Sequence, residues 1–348
     1  MASSLNNPAW LEWMTTLLGG ASRHTYAATL PPNRFYCLLD ELPLHLIPQR
    51  ARQLLQGPEN RRETLYLNPD CILCDAEQIP DELAAERALL AGFALQGTIA
   101  WVRSSSSGNV LPFWLGPEFD RIVQGLRPNE PMPSSTPENA LRLLAAANIL
   151  LPETPTGQQR VQREERIRAA SVIFRAKGYA SLADLIHPFH VAALRRYYRY
   201  LIRTGAIRLG DGQSPRRYVA YNEPVARYFH RDITTILSAV AGEPLKPSYV
   251  YVASYLSGAE LKKHTDREQC EFSVTFSLDF SPEPALATPW PIHLDTPTGK
   301  VTVYQGLGDS LAYRGTRLPH YRDPLPSGQT STSIFFHYVA ADLAGSLD

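Results

Sequence analysis

Tyr255-Leu256-Ser257-Gly258-Ala259-Glu260-Leu261-Lys262-Lys263-His264-Thr265-Asp266 is the stretch that decides how the chain folds. Alternate residues of an extended segment project from one side, so His264 and Asp266 can reach one ligand while Thr265 points away. Two donors at i and i+2 need a third from another strand, and His320 is the candidate. Two imidazoles and one carboxylate on one face of a metal ion leave coordination positions open, as suits non-haem Fe(II).

The flanks extend the pattern. Downstream, Phe272, Val274, Phe276, Leu278 and Phe280 alternate with Ser273, Thr275, Ser277 and Asp279, a period of two that predicts a strand with one buried face. Gly308-Asp309-Ser310-Leu311-Ala312-Tyr313 follows, then His320 and Gly328. Asp309 is read as shaping a turn, and His337 as a packed histidine. Upstream, Val191, Leu194, Tyr198, Leu201 and Ile202 keep helical spacing with Gly205 placed to end the helix, a second helix spans 225–240, and a strand over 248–256 leads into the metal loop.

Tyr-x-x-Gly, five residues, His-x-Asp, an alternating strand, Gly-Asp and a second His form an order that resembles the 2-oxoglutarate/Fe(II)-dependent dioxygenases, most closely the prolyl 4-hydroxylase type, over about residues 166–342. The resemblance implies an α+β fold, with a double-stranded β-helix (jelly roll) braced by helices. It implies Fe(II) on His264, Asp266 and His320, 2-oxoglutarate as cosubstrate and O2 as co-reactant. Oxidative decarboxylation to succinate would then drive hydroxylation of an amino-acid side chain in a peptide or carrier-bound substrate. A free small metabolite as substrate, or an iron-binding jelly roll that no longer uses 2-oxoglutarate, are the alternatives. The related halogenases replace the carboxylate by Ala or Gly, so Asp266 favours hydroxylation. By its match to the family position, Tyr255 is expected to hydrogen-bond the cosubstrate.

The pattern breaks at one point. The family usually places Arg or Lys about ten residues after the second histidine, to pair with the distal carboxylate of 2-oxoglutarate, and here that position is Thr330, with Thr332 two further on. Hydroxyls donate without charge, and a charge-assisted pair is roughly twice as strong as a neutral one. A cation is therefore expected from elsewhere. Arg322 is the first choice, unless it merely pairs with Asp323, and Arg314 and Arg267 are reserves. Lys263, Arg267 and Glu268, around the metal loop, are candidate substrate contacts.

Lys plus Arg and Asp plus Glu are 34 each, which gives no electrostatic case for nucleic acid or an anionic membrane. Residues 1–10 lack a secretory pattern and no run is long and apolar enough to span a bilayer, so a soluble cytoplasmic protein is expected. Cys37, Cys71, Cys74 and Cys270 suggest packed thiols, because no second C-x-x-C completes Cys71–Cys74. His187-Pro188-Phe189-His190 reads as the start of a helix. The interleaved Arg195, Arg196, Tyr197, Arg199 and Tyr200 read as a solvated helix face. A second H-x-D, His293-Leu294-Asp295, is assigned to structure: it lies only 25 residues before His320, which would put ligands on adjacent strands, and prolines flank it.

Four segments are expected. Residues 1–151 form a mainly helical domain that could recognise substrate, 152–165 a linker, 166–342 the dioxygenase domain, and 343–348 a tail. Within the first, 1–60 read as mostly helical and 81–95 as an acidic helix. A hairpin over 97–103 and 110–115, turning at 104–109, precedes helices at 117–126 and 137–150, the latter with Thr136 as N-cap, joined by 127–133. That pattern faintly resembles small winged-helix peptide-binding domains. A scaffold packed against the barrel is equally in keeping with it.

Overall fold

The computed structural model of the protein describes residues 30–55, 64–103, 110–126, 130–152, 158–344 and 347. Most of the 1–60 segment, the 104–109 turn, part of the 127–133 connection and part of the 152–165 linker lie outside these residues.

The front half holds β1 (Leu65–Leu67), β2 (Cys71–Asp75), α1 (Ala84–Arg87), β3 (Thr98–Arg103), β4 (Val110–Leu115), α2 (Pro117–Gln124), α3 (Glu138–Ala146) and β5 (Leu150–Pro152). β2, β3 and β4 form an antiparallel sheet, and β1 pairs with β5. The two hairpin strands and the first helix after them appear where their patterns put them, whereas the helix expected over 137–150 ends at Ala146 and Leu150 begins β5. The expectation of a mainly helical half needs correction, since five strands stand beside three short α-helices among the described residues. The acidic 81–95 helix shrinks to a 3-10 turn, Asp81–Leu83, and one turn of α1. Pro137, not Thr136, caps α3.

The second half begins with α4 (Gln158–Lys177), which starts inside the expected linker. Then come β6 (Tyr179–Leu182), α5 (Pro188–Arg203), β7 (Arg208–Leu209), β8 (Arg217–Tyr221), α6 (Pro224–Ala241), β9 (Leu245–Tyr255), β10 (Leu261–His264), β11 (Phe272–Ser281), β12 (Ile292–Thr296), β13 (Gly299–Val303), β14 (Ser310–Arg314), β15 (His320–Arg322) and β16 (Thr330–Ala340). His187 caps α5 by accepting the Phe189 amide at 3.2 Å, with Pro188 at the first position, where a missing N–H costs nothing. Gly205, at φ +73°, turns the chain out of that helix.

Two antiparallel sheets result, of order β6-β14-β11-β16-β9-β8-β7 and β10-β15-β12-β13. On β11, Phe272, Val274, Phe276 and Leu278 face the helices, while Ser273, Thr275 and Ser277 face the space between the sheets; both faces are buried, not one. Leu278 is an extra residue in the β11–β16 pairing, because Ser277 opposes Ser333 and Asp279 opposes Thr332. That bulge reverses the alternation. Asp279 turns to the helix side and Phe280 inward, where it joins Ala253, Tyr255, Trp290, Leu307 and Leu325.

Asp279 meets the arginines of α5. Arg195, wholly buried, donates to Asp279 Oδ1 at 2.9 Å, Glu283 Oε2 at 2.7 Å and Leu46 O at 2.5 Å, and Arg199 donates to Asp279 Oδ2 at 2.6 Å. Arg196 donates to Tyr36 O and lies over its ring. The helix face expected to be solvated is instead committed to internal ion pairs and packing. Front-half aromatics share one hydrophobic cluster with α5 and α6; Phe35 meets Tyr197 and Phe229 at centroid distances of 6.0 and 5.9 Å. No helix among the described residues is long and apolar enough to cross a membrane.

Candidate metal centre

His264 and His320 are direct cross-strand partners on β10 and β15, with ring centroids 4.3 Å apart. Asp266 lies just past the end of β10, held there by its amide bond to Gly315 O at 2.9 Å. Its Oδ1 stands 3.6 Å from His264 Nε2 and 3.5 Å from His320 Nε2. One ligand atom from each of the three therefore falls within 4.8 Å of the others.

The tautomers suit a metal. His264 Nδ1 faces Lys262 O at 2.8 Å and His320 Nδ1 faces Leu318 O at 3.0 Å. A carbonyl can only accept, so each Nδ1 carries the proton and each Nε2 keeps its lone pair. Ser273 Oγ donates to Asp266 Oδ2 at 2.7 Å and receives a bond from His337 Nδ1 at 2.9 Å. Burial pushes the Asp266 carboxyl up, but His264, His320, His337 and the Ser273 bond outweigh it and hold it at about 2. Burial lowers His320, and Asp266 raises His264. The set is a carboxylate with one oxygen turned to the Nε2 atoms of both imidazoles.

A cavity of about 520 Å³ opens beside the triad, lined among others by Arg217, Tyr249, Tyr251, Tyr255, Tyr313 and Phe335. Tyr255 is buried and accepts from Arg217 Nη1 at 3.3 Å. Arg217 is itself paired with Asp211 at 2.5 Å. Arg322 follows His320 on the same face of β15 and is buried. It donates to Trp290 O at 2.5 Å and Gln305 Oε1 at 3.2 Å and lies over the Trp290 ring. Asp323 is not its partner, since that carboxylate faces His293 at 3.1 Å. Burial drags the guanidinium down to about 10, with Tyr255 and Tyr313 pulling the other way, so it stays charged at neutral pH.

Other expected residues fall elsewhere. Thr332 donates to Ser254 on the helix side of the large sheet, and Thr330 shares that side by alternation; the inward positions are Ser331, Ser333 and Phe335. The two threonines are therefore removed from the cosubstrate site. Lys263 points out of the site to Asp295, at 2.7 Å, and Glu268 is exposed and does not line the cavity. Arg267 does line it, with its guanidinium over the Tyr249 ring. Arg314 pairs with Glu243 and Glu271, and does not line the cavity. His293 and Asp295 are structural, though adjacency of strands is not the reason, because His264 and His320 are adjacent too. His293 pairs with Tyr321, whose side chain projects opposite to His320.

Sequence reading passed over Ser273, His337, Tyr313 and Arg217. The first two are cross-strand partners on inward positions of β11 and β16, so their signal was the polar half of an alternating pattern. Nothing in the sequence marked Arg217, which arrives through the β7–β8 hairpin.

The arrangement defines a 2-His-1-carboxylate centre at the edge of a cleft between two sheets. No protein-family profile and no curated protein matches the chain. Solved structures do. A Pseudomonas putida prolyl-4-hydroxylase matches at 16% identity and TM-score 0.42, covering 50% of this chain and 98% of that one. A Trichoplax adhaerens prolyl hydroxylase, solved with a hypoxia inducible factor peptide fragment, matches at 13% and 0.44, covering 53% and 94%. HygX from Streptomyces hygroscopicus, with nickel, 2-oxoglutarate and hygromycin B bound, matches at 13% and 0.41, covering 51% and 88%. Likeness at this level says nothing of substrate.

Proposed function

We propose that the protein is a 2-oxoglutarate-dependent Fe(II) oxygenase whose two facing sheets are a double-stranded β-helix and whose metal ligands are His264, Asp266 and His320. The observation that carries the cosubstrate is Arg322. A buried guanidinium without a counter-charge costs several kcal/mol, and among the described residues no carboxylate pairs with it. Arg322 itself does not line the cavity but lies behind Tyr255 and Tyr313, which do, so an anion that compensates its charge would reach it past those two rings. The distal carboxylate of 2-oxoglutarate suits the position, with the Tyr255 hydroxyl beside it. Arg322 thus takes the role that Thr330 cannot.

When bound, Fe(II) and 2-oxoglutarate would let O2 act as the oxidant, one oxygen atom going to the substrate carbon and the other to succinate as carbon dioxide leaves. The chain's own residues bind and orient. Carbonyls of Lys262 and Leu318 fix the two imidazoles, Ser273 fixes the carboxylate, and Tyr313, T-shaped against His320 at 4.8 Å, excludes water from its buried side. The cavity has room beyond a small diacid, and its rim carries exposed Thr265 and Arg267. An open rim suits a peptide or carrier-bound side chain as the hydroxylated group, and a closed pocket would have favoured a free metabolite. No described residue of 30–152 lines the cavity, and the described part of that half shares a hydrophobic cluster with α5 and α6, which supports a bracing role.

Anaerobic titration tests the reading. Fe(II)-loaded protein should develop a visible metal-to-cosubstrate charge-transfer band as 2-oxoglutarate is added, and Arg322→Ala should weaken that binding about tenfold or more. Absence of the band at millimolar cosubstrate would leave an iron-binding module without 2-oxoglutarate use. Unchanged affinity in the variant would move the cation's role to Arg217.

A further inference from the structure

We propose that Asp266, Cys270 and His337 form a second metal site, for a thiophilic divalent cation of the zinc type, on the far side of the carboxylate that serves the first. Asp266 Oδ1 faces the two triad imidazoles, whereas Oδ2 is turned the other way, to Ser273. Cys270 and His337 lie on that second side, and one ligand atom from each of the three falls within 4.8 Å of the others. A thiol, an imidazole and a carboxylate are the donor types that zinc selects, and three protein ligands leave a fourth position open to the cavity.

The local fold gathers these residues around the carboxylate that the two sites share. A 3-10 turn, closed by the Cys270 amide on Arg267 O at 2.8 Å, returns Cys270 beside Asp266. Opposite, His337 reaches inward from β16 and is linked to Asp266 through Ser273. Gly315 permits the approach, since a Cβ there would overlap Asp266 Oδ2 and stand 2.5 Å from Cys270 O. Cys270 is 2% exposed and shares a hydrogen bond with the Tyr249 hydroxyl at 2.9 Å; metal binding replaces that bond, and the thiol proton leaves to solvent. No electron transfer is involved. Burial pushes the Cys270 thiol up to about 11 although Tyr249 and Arg267 pull it down, so the thiol keeps its proton until a metal displaces it. Zinc here holds the carboxylate from its second oxygen and sets a charge in the cavity wall.

Cobalt(II), an optical stand-in for zinc, tests this on the full-length, metal-depleted protein. A near-ultraviolet thiolate-to-cobalt band is expected in the wild type and in His264→Ala, where the first site is disabled, and zinc should bleach it. Cys270→Ser should lose the band, with retained fold checked by circular dichroism, and His337→Ala should bind roughly tenfold or more weakly. A wild-type protein that saturates with cobalt without a thiolate band overturns the proposal, as does a band that His337→Ala leaves unchanged in affinity. The band in His264→Ala separates this inference from the iron reading, because it survives even if Fe(II) and 2-oxoglutarate never bind.

Discussion

Gly315 shows how narrowly the centre is built. A methyl group at this position would collide with Asp266 Oδ2 and stand 2.7 Å from Ser273 Oγ, and those neighbours are backbone-anchored on β11 and the adjoining turn. Gly315→Ala should therefore weaken Fe(II) binding about tenfold to a hundredfold, measured by metal titration, while the fold persists. Ser273→Ala removes the hydroxyl that orients the same carboxylate, and a loss of about tenfold in metal affinity is expected from an equivalent titration; wild-type affinity would show that the Gly315 O bond alone orients Asp266. At this scale much was legible. The grouping of His264, Asp266 and His320 follows from spacing, and Arg322, sought because Thr330 is uncharged, is buried without a carboxylate partner and remains the cation we propose. The threonines were misread because their positions were taken from the family's spacing after His320, whereas β16 belongs to the large sheet and faces the site with its odd positions. His337 was set aside as packing, yet its partner Ser273 ties it to the metal carboxylate.

Elements were read best where one period persists. α5, α6, β9 and β11 lie close to their expected places, and each is a long run of a single pattern. The acidic 81–95 segment failed because Leu90 and Phe93 serve the core from irregular backbone, where tertiary packing overrides helical composition. The bulge at Leu278 left no trace in the alternation, since apolar Leu278 and polar Asp279 each continue the pattern. Its effect is energetic: Asp279 is delivered to Arg195 and Arg199. Arg195→Ala should destabilise the protein by about 3–5 kcal/mol, because it strands buried acceptors. Arg199 is 46% exposed at its side chain, so Arg199→Ala should cost about 0–1 kcal/mol. Denaturant melts decide it, and equal losses in the two variants would mean that Asp279, not Arg195, carries the network.

Across the whole molecule, buried histidines set the acid limit. Burial lowers His187 to about 4 and His190 and His230 to about 3, from an ordinary 6.5. Each is neutral when folded and takes a proton once unfolded, so the unfolded chain binds more protons below pH 6.5. Stability should fall from there downward, by about 1.4 kcal/mol per pH unit for each histidine, until the folded values near 4 and 3 are passed. Calorimetric melting temperatures between pH 7.5 and 5 read this directly, and a flat profile would contradict it. His187 and His190 also bond to Ala146 O and Pro112 O of the front half, where Phe35 and Trp114 join the aromatic cluster on α5 and α6. Scissors placed between 152 and 158 would thus yield no half that stands alone. The fragment that keeps every metal ligand would come away with an oily wound along two helices, and only its severed companion has the shape to dress it.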